Sequence, residues 1–119
     1  MSNYADLKVW QKSIDLSVHI YDLSKELPDD EKFGLIPQMK RAVVSIASNI
    51  AEGHGRNSDK DFIKFLRIAL GSLYELETQI EICIRLGYLD NSEVLNSRLL
   101  LTEISKMLNS LISYRNNNS

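Results

Sequence analysis

The chain has 119 residues, of which 44% are hydrophobic and 25% charged, and its formal net charge is −2. This length predicts a single domain, residues 1–119, that can bury a core without a metal or a disulfide. The charge excludes the basic excess that drives general binding to polyanions, and one cysteine, Cys83, excludes an intrachain disulfide. Because no apolar run approaches the length of a membrane span or resembles a signal core, we expect a cytoplasmic protein.

Helical periodicity dominates the chain. Apolar residues recur every three or four positions, whereas alternating strand patterns bounded by Asn-Gly or Asp-Gly turns are missing. Helices are predicted at about residues 6–26, 36–53, 58–86 and 91–114. Short connections between four amphipathic helices predict an all-α fold, an antiparallel up-down-up-down four-helix bundle.

The first helix carries two apolar lines, and we expect both to be buried. The two lines are Leu7, Trp10, Ile14, Val18 and Tyr21, and Leu16, Ile20, Leu23 and Leu27. Asp6 is a candidate N-cap, and Pro28 ends the helix because it lacks a backbone N–H. In the connection that follows, we expect Phe33 to be tucked against the core.

The second helix begins near Pro37 and carries two stripes of different character. Its apolar stripe comprises Met39, Val43, Ile46 and Ile50, and the polar stripe beside it comprises Gln38, Arg41, Ser45, Asn49 and Glu52. We expect this helix to be the central one, with little surface left to water. Gly53 and Gly55 are expected to supply positive φ angles where the helix ends.

The third helix has the most regular core line. Ser58 and Asp61 predict a capping box at its start. The line then steps by four and three through Phe62, Leu66, Ala69, Leu73, Leu76, Ile80 and Cys83. Gly71 in mid-helix costs about 1 kcal/mol against alanine, which indicates that another helix approaches closely there.

The fourth helix follows a second capping signal. Gly87 ends the third helix, and Asp90 with Glu93 predicts a capping box for the next one. The buried stripe expected on the fourth helix comprises Leu101, Ile104, Leu108 and Leu111.

No reactive constellation is visible in the sequence. His19 and His54 are isolated, and a metal site needs three or four ligands. Cys83 lies on the core line, so we expect a buried, inert thiol. Gly53-His54-Gly55 lacks the Gly-Lys-Ser/Thr of a phosphate-binding loop. We therefore expect a protein that is not an enzyme, with no cofactor, metal or small-molecule substrate.

The polar stripe of the second helix is the first candidate site. Polar groups beside a packed face need partners, because unpaired burial costs a few kcal/mol each. The third helix offers Ser72, Glu75 and Gln79. We hypothesise that Arg41 pairs with Glu75 or Glu52, and that Ser45 and Asn49 complete a polar layer. The favoured interpretation is an interhelical or intersubunit network that fixes register, and the alternative is a ligand or polyanion site.

A basic edge is the second candidate site. Its residues are Arg56, Lys60, Lys64 and Arg67, on the third helix and in the turn before it. These cations could neutralise phosphates, and Tyr74 could stack a base. The alternative is a solvated face whose cations pair with Asp59, Asp61 or neighbouring carboxylates.

Four stretches carry a family resemblance. In order, they are DLKVWQKSIDL, GLIPQMKRAVVSIASNIAEGHGR, FIKFLRIALGSLYELETQIEI and LGYL. From about Asp6 to Ile112, the chain resembles the four-helix-bundle proteins encoded in intervening sequences of bacterial 23S rRNA genes. The positions that match the family signature are Gln38, Arg41, Ser45, Asn49, Glu52, Gly53, Arg56, Gly71, Ser72 and Glu75.

This resemblance implies a bacterial homo-oligomer, a ring-like pentamer in some members, with an RNA or nucleoprotein partner and no established enzymatic activity. The family is also similar to the accessory protein of diversity-generating retroelements, a pentameric barrel that binds nucleic acid and a reverse transcriptase. That relative is strongly basic, and this chain is not. We therefore expect a non-enzymatic, oligomeric binding or scaffold protein. The alternative is an RNA-binding accessory protein that uses the basic edge.

Overall fold

The computed structural model describes residue 4 and residues 7–117. It contains four helices: α1 (Lys8–Ser24), α2 (Leu35–His54), α3 (Asp59–Arg85) and α4 (Leu95–Asn117). A short 3-10 turn, Asp29–Glu31, lies between α1 and α2. The predicted all-α four-helix fold is confirmed, and no strand occurs among the described residues.

The helices form a rod with overall extents of 46 × 24 × 21 Å. Each helix packs against two neighbours, in the cyclic order α1, α2, α3 and α4. Short connections make successive helices antiparallel. The α1–α2 and α3–α4 connections therefore lie at one end of the rod, and the α2–α3 turn lies at the other.

Several predicted end signals are present. The Ser58 hydroxyl accepts from the Asp61 N–H at 3.1 Å, as expected of an N-cap. The Glu93 N–H donates to Asp90 Oδ1 at 2.8 Å, and the Asp90 N–H donates to Glu93 Oε1 at 2.9 Å. This reciprocal box encloses a turn just before α4. The predicted cap of α1, Asp6, lies outside the described residues.

The core follows the predicted lines of α2 and α3. All seven members of the α3 line are buried, and Met39, Val43, Ile46 and Ile50 of α2 are completely so. On α4, Leu101, Ile104 and Leu108 are buried as expected. The next core position is Ile112, and Leu111 is only half-buried.

The prediction for the first apolar line of α1 is wrong for all but its first two members, which pack partly buried against the core. Ile14, Val18 and Tyr21 are exposed to solvent, and the helix buries the face that carries Leu16 and Ile20. Ser13 and Ser24 share that face. Their hydroxyls donate to carbonyls of their own helix, Val9 at 2.8 Å and Tyr21 at 2.7 Å. Small polar side chains satisfied in this way can be buried at little cost.

Two further expectations about burial are wrong. Phe33 is 90% exposed, because its connection runs over the surface. Helix α2 is also not central: it packs on two sides, as expected, against α1 and α3, but it is not enclosed. Its remaining side faces water and carries Gln38, Arg41, Val44, Ser48 and Glu52.

The glycines play different roles from those predicted. Gly53 is buried within α2, and Gly55 has φ −78°, so neither supplies a positive φ. A Cβ on Gly53 would lie 2.5 Å from Phe65 Cβ, so the close helix approach occurs here. At Gly71, where the close approach was predicted, an added Cβ would meet open space. Gly87 does adopt a positive φ of 79° after α3.

Candidate functional site

A small polar layer joins α2 to α3 near the middle of the rod. The hydroxyl oxygens of Ser45 and Ser72 are 2.8 Å apart. Asn49 Nδ2 donates to the Ser45 carbonyl at 2.8 Å and to the Ser45 hydroxyl at 3.0 Å. All three side chains are half-buried. The structure therefore brings together three uncharged members of the predicted polar layer, Ser45, Asn49 and Ser72.

The charged part of the predicted layer is not formed within one chain. Glu52 pairs with Arg56, one helical turn away, at 3.2 Å. Arg41 and Glu75 are exposed, and neither enters an ion pair among the described residues. The expected pairing of Arg41 with Glu75 or Glu52 is therefore wrong for the single chain. Gln38 is likewise exposed, at the outer edge of α2.

Gln79 lies one heptad beyond Ser72, on the same side of α3. It is only 6% exposed, and its Oε1 atom has no hydrogen-bond partner. A buried, unpaired amide oxygen costs about 1–3 kcal/mol. Such an oxygen is a local weakness in a seam that is otherwise closely packed.

The basic edge is present on α3. Lys60, Lys64 and Arg67 are exposed and, with Ile63 and Ile68, line a shallow depression of about 500 Å³. None of the three cations forms an ion pair within the described part of the chain. Asp59, one of the carboxylates expected to pair with these cations in the alternative interpretation, instead pairs with Arg115 of α4, at 2.8 Å.

Arg56 differs from the other cations of this edge. Its guanidinium binds Glu52 and lies 4.8 Å from the centre of the Phe65 ring. These contacts hold the side chain against the α2–α3 turn. Arg56 is therefore less available to an anion than the three cations on α3.

The histidines and the cysteine do not form a site. The His54 ring meets Phe62 edge-on at 5.6 Å, and His19 is half-buried beside α4. The Cys83 thiol is buried and donates to the Met39 sulfur at 3.8 Å. Burial, with a smaller contribution from the Glu31 charge, raises the pKa of this thiol to about 11. Among the described residues, no three potential metal ligands are grouped together.

The Glu31 carboxylate joins the two connections at one end of the rod. Its Oε1 accepts the Leu35 N–H at the start of α2, and its Oε2 accepts the Tyr88 hydroxyl, both at 3.0 Å. The hydrogen bond to this carboxylate raises the pKa of Tyr88. We call this arrangement the Glu31 clasp.

The seam between α1 and α4 opens into grooves. One groove, of about 530 Å³, includes Val18, His19, Leu99 and Glu103 in its lining. Another, of about 370 Å³, lies between the start of α1 and the end of α4 and includes Leu7 and Leu111. The Lys12–Glu103 ion pair crosses the seam at 3.1 Å. This face therefore presents concave surface that is mainly apolar in the smaller groove and of mixed polar and apolar character in the larger one.

None of the described helices combines the length and the apolar character needed to cross a lipid bilayer.

Comparison with protein families finds a match to the 23S rRNA-intervening sequence protein family over residues 5–110. Comparison with curated proteins finds no match.

A solved structure from Bacteroides thetaiotaomicron is similar to this chain. It is described as a protein of unknown function from the S23 ribosomal protein family. The two are 36% identical with a TM-score of 0.80, and the match covers 87% of this chain and 97% of that one.

Proposed function

Starting from the fact that the chain belongs to the 23S rRNA-intervening sequence protein family, we propose that it is a non-enzymatic bundle that self-associates and acts as a binding or scaffold module. We place it in the cytoplasm, which is consistent with its single, buried, free cysteine. The family resemblance makes five copies the expected assembly.

The observation that carries this proposal is the apolar surface on the outside of α1 and α4. Ile14, Val18 and Tyr21 form an exposed line on α1, while Leu95 and Leu99 are exposed one turn apart on α4. Val18 and Leu99 line the same groove. Ile14 and Tyr21 lie toward α2, so the apolar surface that α1 and α4 share is this groove. Exposed apolar surface of this kind is typical of protein interaction sites. A second copy would remove it from water.

Sedimentation velocity over a range of concentrations tests this proposal. We expect particles heavier than the 13.6 kDa chain. The variant Leu99→Glu would place a charge in the groove and should shift the distribution toward single chains. Thr102→Glu, at an exposed position on the same helix, is the matched control and should leave the distribution unchanged. A wild-type protein that stays a single chain at every concentration would refute self-association.

RNA binding by the basic edge is the second candidate function. The observation that favours it is that Lys60, Lys64 and Arg67 are exposed and form no ion pairs among the described residues. Three such cations side by side can neutralise neighbouring phosphates. Each phosphate neutralised on a single strand makes the logarithm of affinity fall with log salt by about 0.7.

A short fluorescent single-stranded RNA titrated at several salt concentrations tests this second function. The double variant Lys60→Gln/Lys64→Gln should weaken binding and flatten the salt dependence. The control Lys25→Gln/Lys32→Gln removes the same charge from the opposite end of the rod and should bind as the wild type does. No binding at low salt, or equal loss in both variants, would reject the basic edge as an RNA site.

A further inference from the structure

Phe33 is the most exposed large apolar side chain described. It is 90% exposed, and the ammonium of Lys32 lies 5.7 Å from its ring centre. Leaving a whole phenyl ring in water forgoes about 1.5–3 kcal/mol of apolar burial. The Glu31 clasp fixes the connection around it. Phe33 is thus a projecting apolar side chain on an anchored loop.

An apolar pocket lies toward the opposite end of the rod. It is the groove of about 370 Å³ between the start of α1 and the end of α4, lined in part by Leu7, Met107, Leu111 and Tyr114. This volume is at the small end of the range for ligand pockets. It suits one aromatic side chain better than an extended ligand.

Charge around these two features is complementary. Asp29 and Asp30, close to Phe33 in sequence, are exposed and form no ion pair among the described residues. Lys8 lines the apolar pocket and, with Lys106, lines the depression beside it, where three lysines outnumber two carboxylates. Neither lysine is ion-paired within the described chain.

The same polarity extends over the whole rod. The half with the Phe33 connection, residues 17–43 and 73–101, holds ten carboxylates against six Lys and Arg side chains. The described remainder, residues 7–16, 44–72 and 102–117, holds eight Lys and Arg against five carboxylates. Opposite charges attract two copies when the acidic half of one meets the basic half of the other.

We propose that Phe33 of one copy inserts into the pocket between α1 and α4 of a second copy, with Asp29 and Asp30 facing Lys8 and Lys106. This inference rests on the self-association proposed above and names one contact through which it occurs. The contact joins two different surfaces, so it builds closed rings or open chains of copies. One buried aromatic contributes only about 150–250 Å², so this contact is weak by itself and acts together with the apolar face of α1 and α4.

Two variants of the full chain test the contact by sedimentation velocity. Phe33→Ala removes the inserted side chain, and Ser110→Glu places a negative charge in the pocket, which Ser110 helps to line. Both positions are exposed, so folding should be unaffected. Each variant alone should associate about ten- to a hundredfold more weakly. The controls Tyr74→Ala, at an exposed aromatic on α3, and Ser113→Glu, at an exposed position outside the contact, should match the wild type.

Mixing the two variants gives the decisive measurement. The Phe33→Ala chain keeps an intact pocket, and the Ser110→Glu chain keeps its phenylalanine, so the mixture should associate more strongly than either variant alone, through mixed dimers. Wild-type association that Phe33→Ala leaves intact would overturn this contact while leaving self-association standing. A mixture that associates no more strongly than the separate variants would also overturn it. A wild-type protein that never associates would overturn both proposals.

Discussion

The α2–α3 and α1–α4 seams both join antiparallel neighbours, yet they are built differently. At α2–α3, Gly53 leaves no space for a Cβ, and the hydroxyls of Ser45 and Ser72 meet at 2.8 Å. At α1–α4, grooves of about 370 and 530 Å³ open between the helices. Antiparallel helices of one bundle can therefore pack closely at one seam and leave grooves at another. The close packing occurs where small residues, here a glycine and two serines, let the helix backbones approach.

Replacing one leucine by alanine at each of the two seams should give the largest difference in the free energy of unfolding. Leu73→Ala creates a cavity in the core beside the closed seam and should lower the free energy of unfolding by about 2–5 kcal/mol. Leu99 is 60% exposed, so Leu99→Ala should change it by about 0.5 kcal/mol or less. Urea unfolding at a dilution where the protein is a single chain measures both. Similar losses would show that the α1–α4 seam is closed in solution.

The two helical glycines offer a second contrast. In Gly53→Ala, the added Cβ would lie 2.5 Å from Phe65 Cβ and 3.0 Å from Phe62 Cδ1. Overpacking of about 1–3 kcal/mol should exceed the gain in helix propensity of about 1 kcal/mol. Gly71→Ala meets open space and should stabilise the chain by about 0.5–1 kcal/mol. Thermal unfolding distinguishes them, and a stabilising Gly53→Ala would contradict the close approach.

The Ser45–Ser72 hydrogen bond should contribute a smaller coupling across the closed seam. A double-mutant cycle of Ser45→Ala and Ser72→Ala is expected to give about 0.5–1.5 kcal/mol. Ser17 donates to the Ser13 carbonyl of its own helix, so Ser17→Ala combined with Ser72→Ala should show no coupling. Full additivity of Ser45→Ala and Ser72→Ala would mean that the bond does not fix the register.

The Lys12–Glu103 ion pair should give the smallest effect. Its side chains are partly exposed, so a cycle of Lys12→Met and Glu103→Gln should give a coupling of at most about 1 kcal/mol. The coupling should vanish in molar salt, where the Debye length is about 3 Å. The Ser45–Ser72 coupling should persist in the same buffer. A salt-resistant ion-pair coupling would indicate a seam much drier than the structure shows.

The core lines of α2 and α3 could be read from sequence because each is a single unbroken apolar stripe. Helix α1 offers two such stripes, and periodicity gives no means of choosing between them. The choice is made by Ser13 and Ser24, whose hydroxyls bond to their own helix and let that face be buried. Polar residues at these positions argue against burial when the sequence is considered alone.

The candidate sites were predicted less well than the fold. Ser45, Asn49 and Ser72 share helical faces that the sequence displays, so their meeting could be anticipated. The position of Phe33 depends on the path of a connection, for which no periodic signal exists. The expected pairing of Arg41 with Glu52 failed because the two residues lie on the same helix about 16 Å apart along its axis, whereas Arg56 lies one turn from Glu52 and pairs with it. Which cations remain unpaired is decided by such local geometry.

The Glu31 clasp contains a tyrosine, Tyr88, whose absorbance can report the state of the acidic end of the rod. It connects positions 57 residues apart along the chain, and Tyr88 stays neutral to a higher pH than free tyrosine because its hydroxyl bonds a carboxylate. Alkaline ionisation would set two anions against each other and release the Leu35 amide to exchange. The part of the tyrosinate absorbance band that Tyr88→Phe removes would then appear together with faster deuterium uptake at the Leu35 amide, reporting loss of loop anchorage without any attached dye.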